Sequence, residues 1–139
     1  MIILLLNWLT LLLAPQTIEP TQNLLIQVVG MESKQGAVQV AIFNSPDKFL
    51  ERPCHQYAIE TIEQDTVQAS FNLPPGEYAV AVYHDENENK ELDKNFFGIP
   101  YEAYGFSNDA RGSRLGPPSF NDAKVTIAQK QQTVYIKLR

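Results

Sequence analysis

The chain has 139 residues and a formal net charge of −5, with 11 Lys and Arg against 16 Asp and Glu. That length suits one domain with a core of its own, and a hydrophobic content of 44% excludes a disordered chain. No basic run offers a nucleic-acid surface, and the single cysteine, Cys54, excludes an internal disulfide and any multi-cysteine zinc centre.

Met1 to Ala14, MIILLLNWLTLLLA, is apolar and uncharged. A bilayer span takes about 20 residues, so this run fits the apolar part of a secretory signal better than a membrane helix. Residues 1–14 are read as a leader, 15–23 as a polar, proline-bearing linker and 24–139 as the domain. The expectation is a periplasmic or secreted protein with no transmembrane span once the leader is removed. No cysteine follows the leader, so no lipid anchor is expected there.

From Leu24 the period becomes two. Strands are predicted at Leu24–Met31 and Gly36–Asn44, with Val38, Val40 and Ile42 on one face. Ser45–Gln56 reads as a loop and Tyr57–Ile62 as a weaker strand. Val67–Leu73 alternates, with Val67, Ala69, Phe71 and Leu73 inward. Pro74-Pro75-Gly76 predicts a tight turn in which Gly76 takes a positive φ. Tyr78 follows at the place where Greek-key sandwiches turn a tyrosine hydroxyl back onto a nearby backbone group. Tyr78, Val80 and Val82 share the inward face, and His84 continues that register. Strands at Ala123–Ala128 and Gln132–Leu138, with Val134, Ile136 and Leu138 inward, close the chain. Seven strands of this kind predict an all-β Greek-key sandwich, immunoglobulin-like or prealbumin-like.

Between them, residues 85–122 show no sustained period. A loop that long in a small domain is functional or disordered. Six aromatics, Phe96, Phe97, Tyr101, Tyr104, Phe106 and Phe120, argue for an ordered excursion over one end of the sandwich. It opens with five carboxylates in nine residues, Asp85 to Asp93, against one lysine. Oxygen ligands recur at Asp85, Asn87, Asn89 and Asp93, with the Glu91 carbonyl available at the seventh place. That is the alternate spacing of a calcium loop. The spacing departs from an EF-hand at two places: Lys90 stands where glycine belongs, and Phe96 where a bidentate glutamate belongs. The metal candidates are therefore Asp85, Asn87, Asn89, Glu91 and Asp93, and the ion is Ca²⁺. On this reading the carboxylates repel one another, so losing Asp85 should leave the ion-free fold unharmed. A solvated turn rich in Asn and Asp is the alternative.

Three motifs in order, HDENENKELD (His84–Asp93), NFFGIPYEAYGFSNDARG (Asn95–Gly112) and GPPSFNDA (Gly116–Ala123), resemble the bacterial family catalogued as domain of unknown function 2141. The resemblance covers about Leu24 to Leu138. It implies a small secreted or envelope β-sandwich and transfers no catalytic residue. No catalytic residue is expected from the residues either. Cys54 and His55 are sequence neighbours whose side chains would diverge on a strand, so they make a poor dyad. No spacing selects a carboxylate pair from Glu86, Glu88, Glu91 and Glu102.

His84, Tyr101, Tyr104, Asn108 and Arg111 are candidates for meeting a ligand, an envelope protein or a glycan. Two functions follow: a non-enzymatic module with a calcium-stabilised loop, or a small metal-assisted hydrolase using His84 and loop carboxylates. A buried, hydrogen-bonded His84 would favour the module.

Overall fold

The alternating runs become strands in the computed structural model, which describes residues 21–139. The leader at 1–14 and most of the linker lie outside the described residues. Strand β1, Gln22–Val29, opens on the last two linker residues. It is followed by β2 (Ala37–Phe43), β3 (Gln56–Thr61), β4 (Thr66–Leu73) and β5 (Gly76–Asp85). Then come β6 (Tyr104–Phe106), a single helical turn α1 (Phe120–Ala123), β7 (Val125–Ile127) and β8 (Gln131–Lys137).

Two sheets face each other. One has the order β4-β1-β8, and the other runs β3-β2-β5-β6 with β7 also pairing β5. The first and last strands lie side by side in parallel, Ile26 opposite Val134. β2 occupies one edge of β5. β6 and β7 share the other, at Ala81–Tyr83 and Gly76–Tyr78.

Alternation decides what is inside. Leu24, Ile26 and Val28 meet Val67, Ala69, Phe71, Leu73, Val134, Ile136 and Leu138 from their own sheet. Facing them are Val38, Val40, Ile42, Tyr78, Val80 and Val82. Burial of this apolar set is the main favourable term in folding. Tyr78 is buried, and its hydroxyl donates to the Pro74 carbonyl at 2.8 Å, as the corner predicted. Gly76 differs from expectation: it is not among the positive-φ residues, and it begins β5. The two prolines make the turn without it.

The eighth strand was not legible. β6 is three residues long, too short for a period to register. Gly105 at its centre explains its fit, since a Cβ there would lie 2.8 Å from Ile136 Cγ2 and 2.9 Å from the Lys137 carbonyl. Only glycine lets β6 come that close to β8. Tyr104 and Arg139 exchange backbone hydrogen bonds of 3.2 and 3.0 Å, joining the two sheets along this side.

The predicted strand at Ala123–Ala128 is a helical turn followed by a shorter strand. Ser119 Oγ accepts from Asp122 N–H while the Asp122 carboxylate accepts from Ser119 N–H, a capping box. The Ser119 hydroxyl also donates to the Asp122 carboxylate at 2.7 Å, and together with the Ser119 N–H it holds the Asp122 carboxyl below the usual carboxylate range. Phe120 and Ala123 from this turn are buried with Phe43 and Ala79 on the outer face of the larger sheet. Phe49, from the loop after β2, packs edge-on to Phe43 and Phe120 at 5.4 and 6.0 Å. That loop therefore acts as a cover. Half-buried Cys54 sits in it, donating to the Gln56 carbonyl at 3.2 Å.

Candidate functional site

The acidic loop grows directly from the end of β5, and its root is buried. Asp85, the last residue of the strand, is 0% exposed. A carboxylate enclosed this way must be met by donors, because burying an unpaired charge is costly. Three donors reach it. Oδ2 accepts from Gln39 Nε2 at 2.8 Å and from Lys90 N–H at 2.9 Å; Oδ1 accepts from Asn89 N–H at 3.2 Å. Gly36 makes room from the other side. It has φ +73°, and a Cβ there would overlap the Asp85 carbonyl and lie 2.7 Å from Glu86 Cα.

Beyond Asp85 the loop coils on its own oxygens. Asn87 Oδ1 accepts from Asn89 N–H at 3.2 Å, and Asn89 Oδ1 accepts from Glu91 N–H at 3.0 Å. These are Asx turns, each bending the chain by two residues. Both amide groups then point at one carboxylate: Asn87 Nδ2 donates to Asp93 Oδ2 at 2.6 Å and Asn89 Nδ2 to Asp93 Oδ1 at 2.9 Å. The spacing thus brings Asp85, Asn87, Asn89 and Asp93 into one network. Lys90 takes the left-handed conformation, φ +63°, at the place where a calcium loop demands glycine for its sharp turn. Arg52 steadies that corner, donating to the Lys90 carbonyl at 2.7 Å.

Position 12 of the spacing, Phe96, is 98% exposed. A different carboxylate closes the loop. Glu102 is 8% exposed; its Oε1 accepts from Glu86 N–H at 3.1 Å and its Oε2 from Asp93 N–H at 3.0 Å. Sequence reasoning weighed Glu102 only as a hydrolytic acid and missed it here. The signal was indirect: Asn95 and Gly98 favour a reverse turn, and a hairpin there returns the chain from Asp93 to Glu102. A shallow cleft lined by Glu86, Asn87, Asp93, Lys94, Tyr101 and Glu102 opens beside this network.

The electrostatics are one-sided. Among the described residues no Lys or Arg ion pair reaches Asp85, Glu86, Glu88, Glu91, Asp93 or Glu102. The nearest cationic candidate is His84 Nδ1, 3.8 Å from Glu86 Oε1. Among the described residues no three of His, Cys, Asp and Glu converge as a ready-made metal cluster. A calcium site does not need that, because it also draws on amide and backbone oxygens. The donor set is all hard oxygen, which suits calcium rather than zinc or copper. Asp85 still has acceptor capacity, since a carboxylate offers about four lone-pair sites and three are used.

The ligand candidates do not form one patch. His84 is 1% exposed, and its Nε2 lies 2.7 Å from the Gln35 carbonyl. It holds the root of the loop from within. Tyr101 is 75% exposed beside the cleft. Tyr104 sits on β6 opposite Tyr83. Asn108 and Arg111 follow where β6 runs away from the loop; Asn108 donates to the Asp122 carbonyl at 2.9 Å, and Arg111 pairs with Asp109 at 3.4 Å. Burial pushes the Tyr83 phenol up to about 12, aided by its neighbours Tyr57 and Asp85. Tyr83 is thus neutral at ordinary pH and no base.

Among the described residues no helix is long and apolar enough to cross a membrane. No curated protein and no solved structure matches the chain. A family match covers residues 26–135, from the middle of β1 into β8, and so includes the loop, the hairpin and Glu102. The chain belongs to that bacterial family, described as "Uncharacterized protein conserved in bacteria (DUF2141)".

Proposed function

We propose that this chain is a non-enzymatic module of the bacterial cell envelope whose acidic loop is ordered by calcium. Asp85, Asn87, Asn89 and Asp93 would hold the ion with the Glu91 carbonyl, and Glu102 would be the carboxylate from outside the loop. The ion would offset charge that no Lys or Arg pairs among the described residues. The observation that carries the reading is the left-handed turn at Lys90. A non-glycine residue in that conformation costs about 1 kcal/mol, and it falls at the sixth place of the calcium-loop spacing. Export is inferred from the apolar run Met1–Ala14. Sequencing the N-terminus of protein from the periplasmic fraction tests that; an intact Met1 there would count against cleavage.

No observation favours the hydrolase. A general base must reach a substrate proton, and His84 is enclosed.

Thermal unfolding with a calcium titration tests the central claim. A weak extracellular-type site binds at roughly 0.1–1 mM. At about tenfold above the dissociation constant, binding stabilises the fold by roughly 1.4 kcal/mol. For a domain of this size that raises Tm by about 3–6 °C. Glu102→Gln should weaken the rise, and magnesium should substitute poorly because it keeps its waters. Identical melting in chelator and in about 5 mM calcium, well above that dissociation constant, would leave the loop as a turn held by its own amides.

A further inference from the structure

The hairpin that returns the chain from Asp93 to Glu102 carries apolar side chains that the loop's own packing does not use. Phe96 is 98% exposed, Phe97 82%, Ile99 60% and Tyr101 75%. Residues 95–101, NFFGIPY, hold no charge. Yet the tip is tightly built. Asn95 Oδ1 accepts from Phe97 N–H at 2.9 Å and from Ile99 N–H at 3.0 Å. Asn95 N–H donates to the Ile99 carbonyl at 2.8 Å, Gly98 N–H to the Asn95 carbonyl at 2.9 Å, and Tyr101 N–H to the Asp93 carbonyl at 2.8 Å. Pro100 has no N–H to satisfy. Five of the segment's six N–H groups are therefore bonded within the protein.

That combination selects among occupants. A partner adding a strand needs free N–H groups as well as carbonyls, and here every N–H but that of Phe96 is already taken. A medium poor in hydrogen-bonding groups favours N–H groups that are already paired. Area points the same way. The exposed parts of these four side chains amount to about 500 Å², short of the about 800 Å² each partner brings to a stable protein interface. Aromatic side chains at a tip are suited to the boundary between headgroups and acyl chains. Charge narrows the choice of lipid: Glu86, Asp93 and Glu102 line the cleft beside Tyr101 of the tip against one cation, Lys94, on a chain of net charge −5, and an anionic surface would repel that excess.

We propose that residues 95–101 are a membrane-docking tip whose exposed apolar side chains enter the headgroup–acyl boundary of a zwitterionic bilayer. This goes beyond the calcium reading and does not rest on it. The test uses the full chain carrying Trp8→Phe, which removes the one native tryptophan, and Phe97→Trp, which reports from the tip. Phosphatidylcholine vesicles are added in chelator. Emission from the introduced indole should shift to the blue and be quenched by brominated acyl chains. Adding Phe96→Ser should lower the partition coefficient about tenfold or more, as expected for one buried phenylalanine. Its melting should be unchanged, because Phe96 lies outside the core.

Three results would overturn the proposal. The introduced indole could stay unshifted and iodide-quenchable at saturating lipid, including when the chain sediments with vesicles by another segment. Phosphatidylglycerol vesicles could bind better than phosphatidylcholine in chelator, which would assign binding to charge. The indole could instead be shielded without lipid in a concentration-dependent dimer, which would assign the tip to a second copy.

Discussion

The valines of β5 and the aspartate that ends it are equally buried and held by different forces. Val80 and Val82 are 0% and 2% exposed inside an apolar cluster. Three residues after Val82, Asp85 is 0% exposed and carries a carboxylate. Apolar packing is non-directional and tolerates small rearrangement. The carboxylate depends on three particular donors, of which one is a side chain on β2 and two are backbone groups of the loop. The sandwich is thus a body whose stability is spread over many residues. The loop is a device in which one residue organises nine.

Asp85→Ala separates these regimes most sharply. It strands Gln39 Nε2 and the Lys90 N–H, each worth about 1–3 kcal/mol if left unmade, while the Asn89 N–H keeps its second acceptor, Asn87 Oδ1. Water can reach part of the loop, so a total near 3 kcal/mol is expected, lowering Tm by roughly 10 °C in chelator. Reading the carboxylates as mutually repelling charges led to the opposite expectation. It missed that Asp85 is enclosed with donors while its neighbours Glu86 and Glu88 are in solvent. Melting that rises in the variant would restore repulsion as the dominant effect.

Val82→Ala is the matching probe of the body. It removes two buried methyl groups opposite Val40, and about 2 kcal/mol should be lost with the cavity. Urea unfolding should show a lower midpoint at constant slope. A loss under about 0.5 kcal/mol, typical of surface positions, would contradict the inward register. Calcium should distinguish the two variants further. It should still raise the melting temperature of Val82→Ala and have no effect on Asp85→Ala.

The contrast also explains what the sequence disclosed. Strand positions and inward faces were legible because alternation writes burial directly into order: Val67, Ala69, Phe71 and Leu73 could be read without knowing what they touch. The loop's ligand spacing was legible for the same reason, since Asp85, Asn87, Asn89 and Asp93 are local. What depended on distant partners was not. Gln39 sits in a strand as an inconspicuous polar residue, and only the β2–β5 register turns it toward Asp85. Glu102 joins the loop only because a hairpin returns it. The aromatics carried an ambiguous signal: they implied packing, which holds for Phe120, whereas Phe96 and Phe97 face solvent. Composition alone cannot separate the two, because it does not encode which way a turn faces.

The smallest expected effect tests the loop most finely. Glu88 and Lys90 both adopt left-handed backbone, φ +56° and +63°. Replacing either with glycine relieves a similar conformational cost, about 1 kcal/mol, partly offset by the greater freedom of glycine when unfolded. In chelator, Glu88→Gly and Lys90→Gly should therefore melt alike, each within about 1 kcal/mol of the parent. With calcium they should part. Lys90→Gly supplies the residue the sixth place calls for and removes a positive charge, so the dissociation constant should fall a few-fold. Glu88→Gly removes a negative charge at a place that supplies no ligand, so it should rise a few-fold. Isothermal titration of the two variants side by side reads that difference with backbone strain cancelled. Equal constants would mean that the turn at Lys90 serves the hydrogen bond to Asp85 alone and that its coincidence with the calcium-loop spacing has no bearing on an ion.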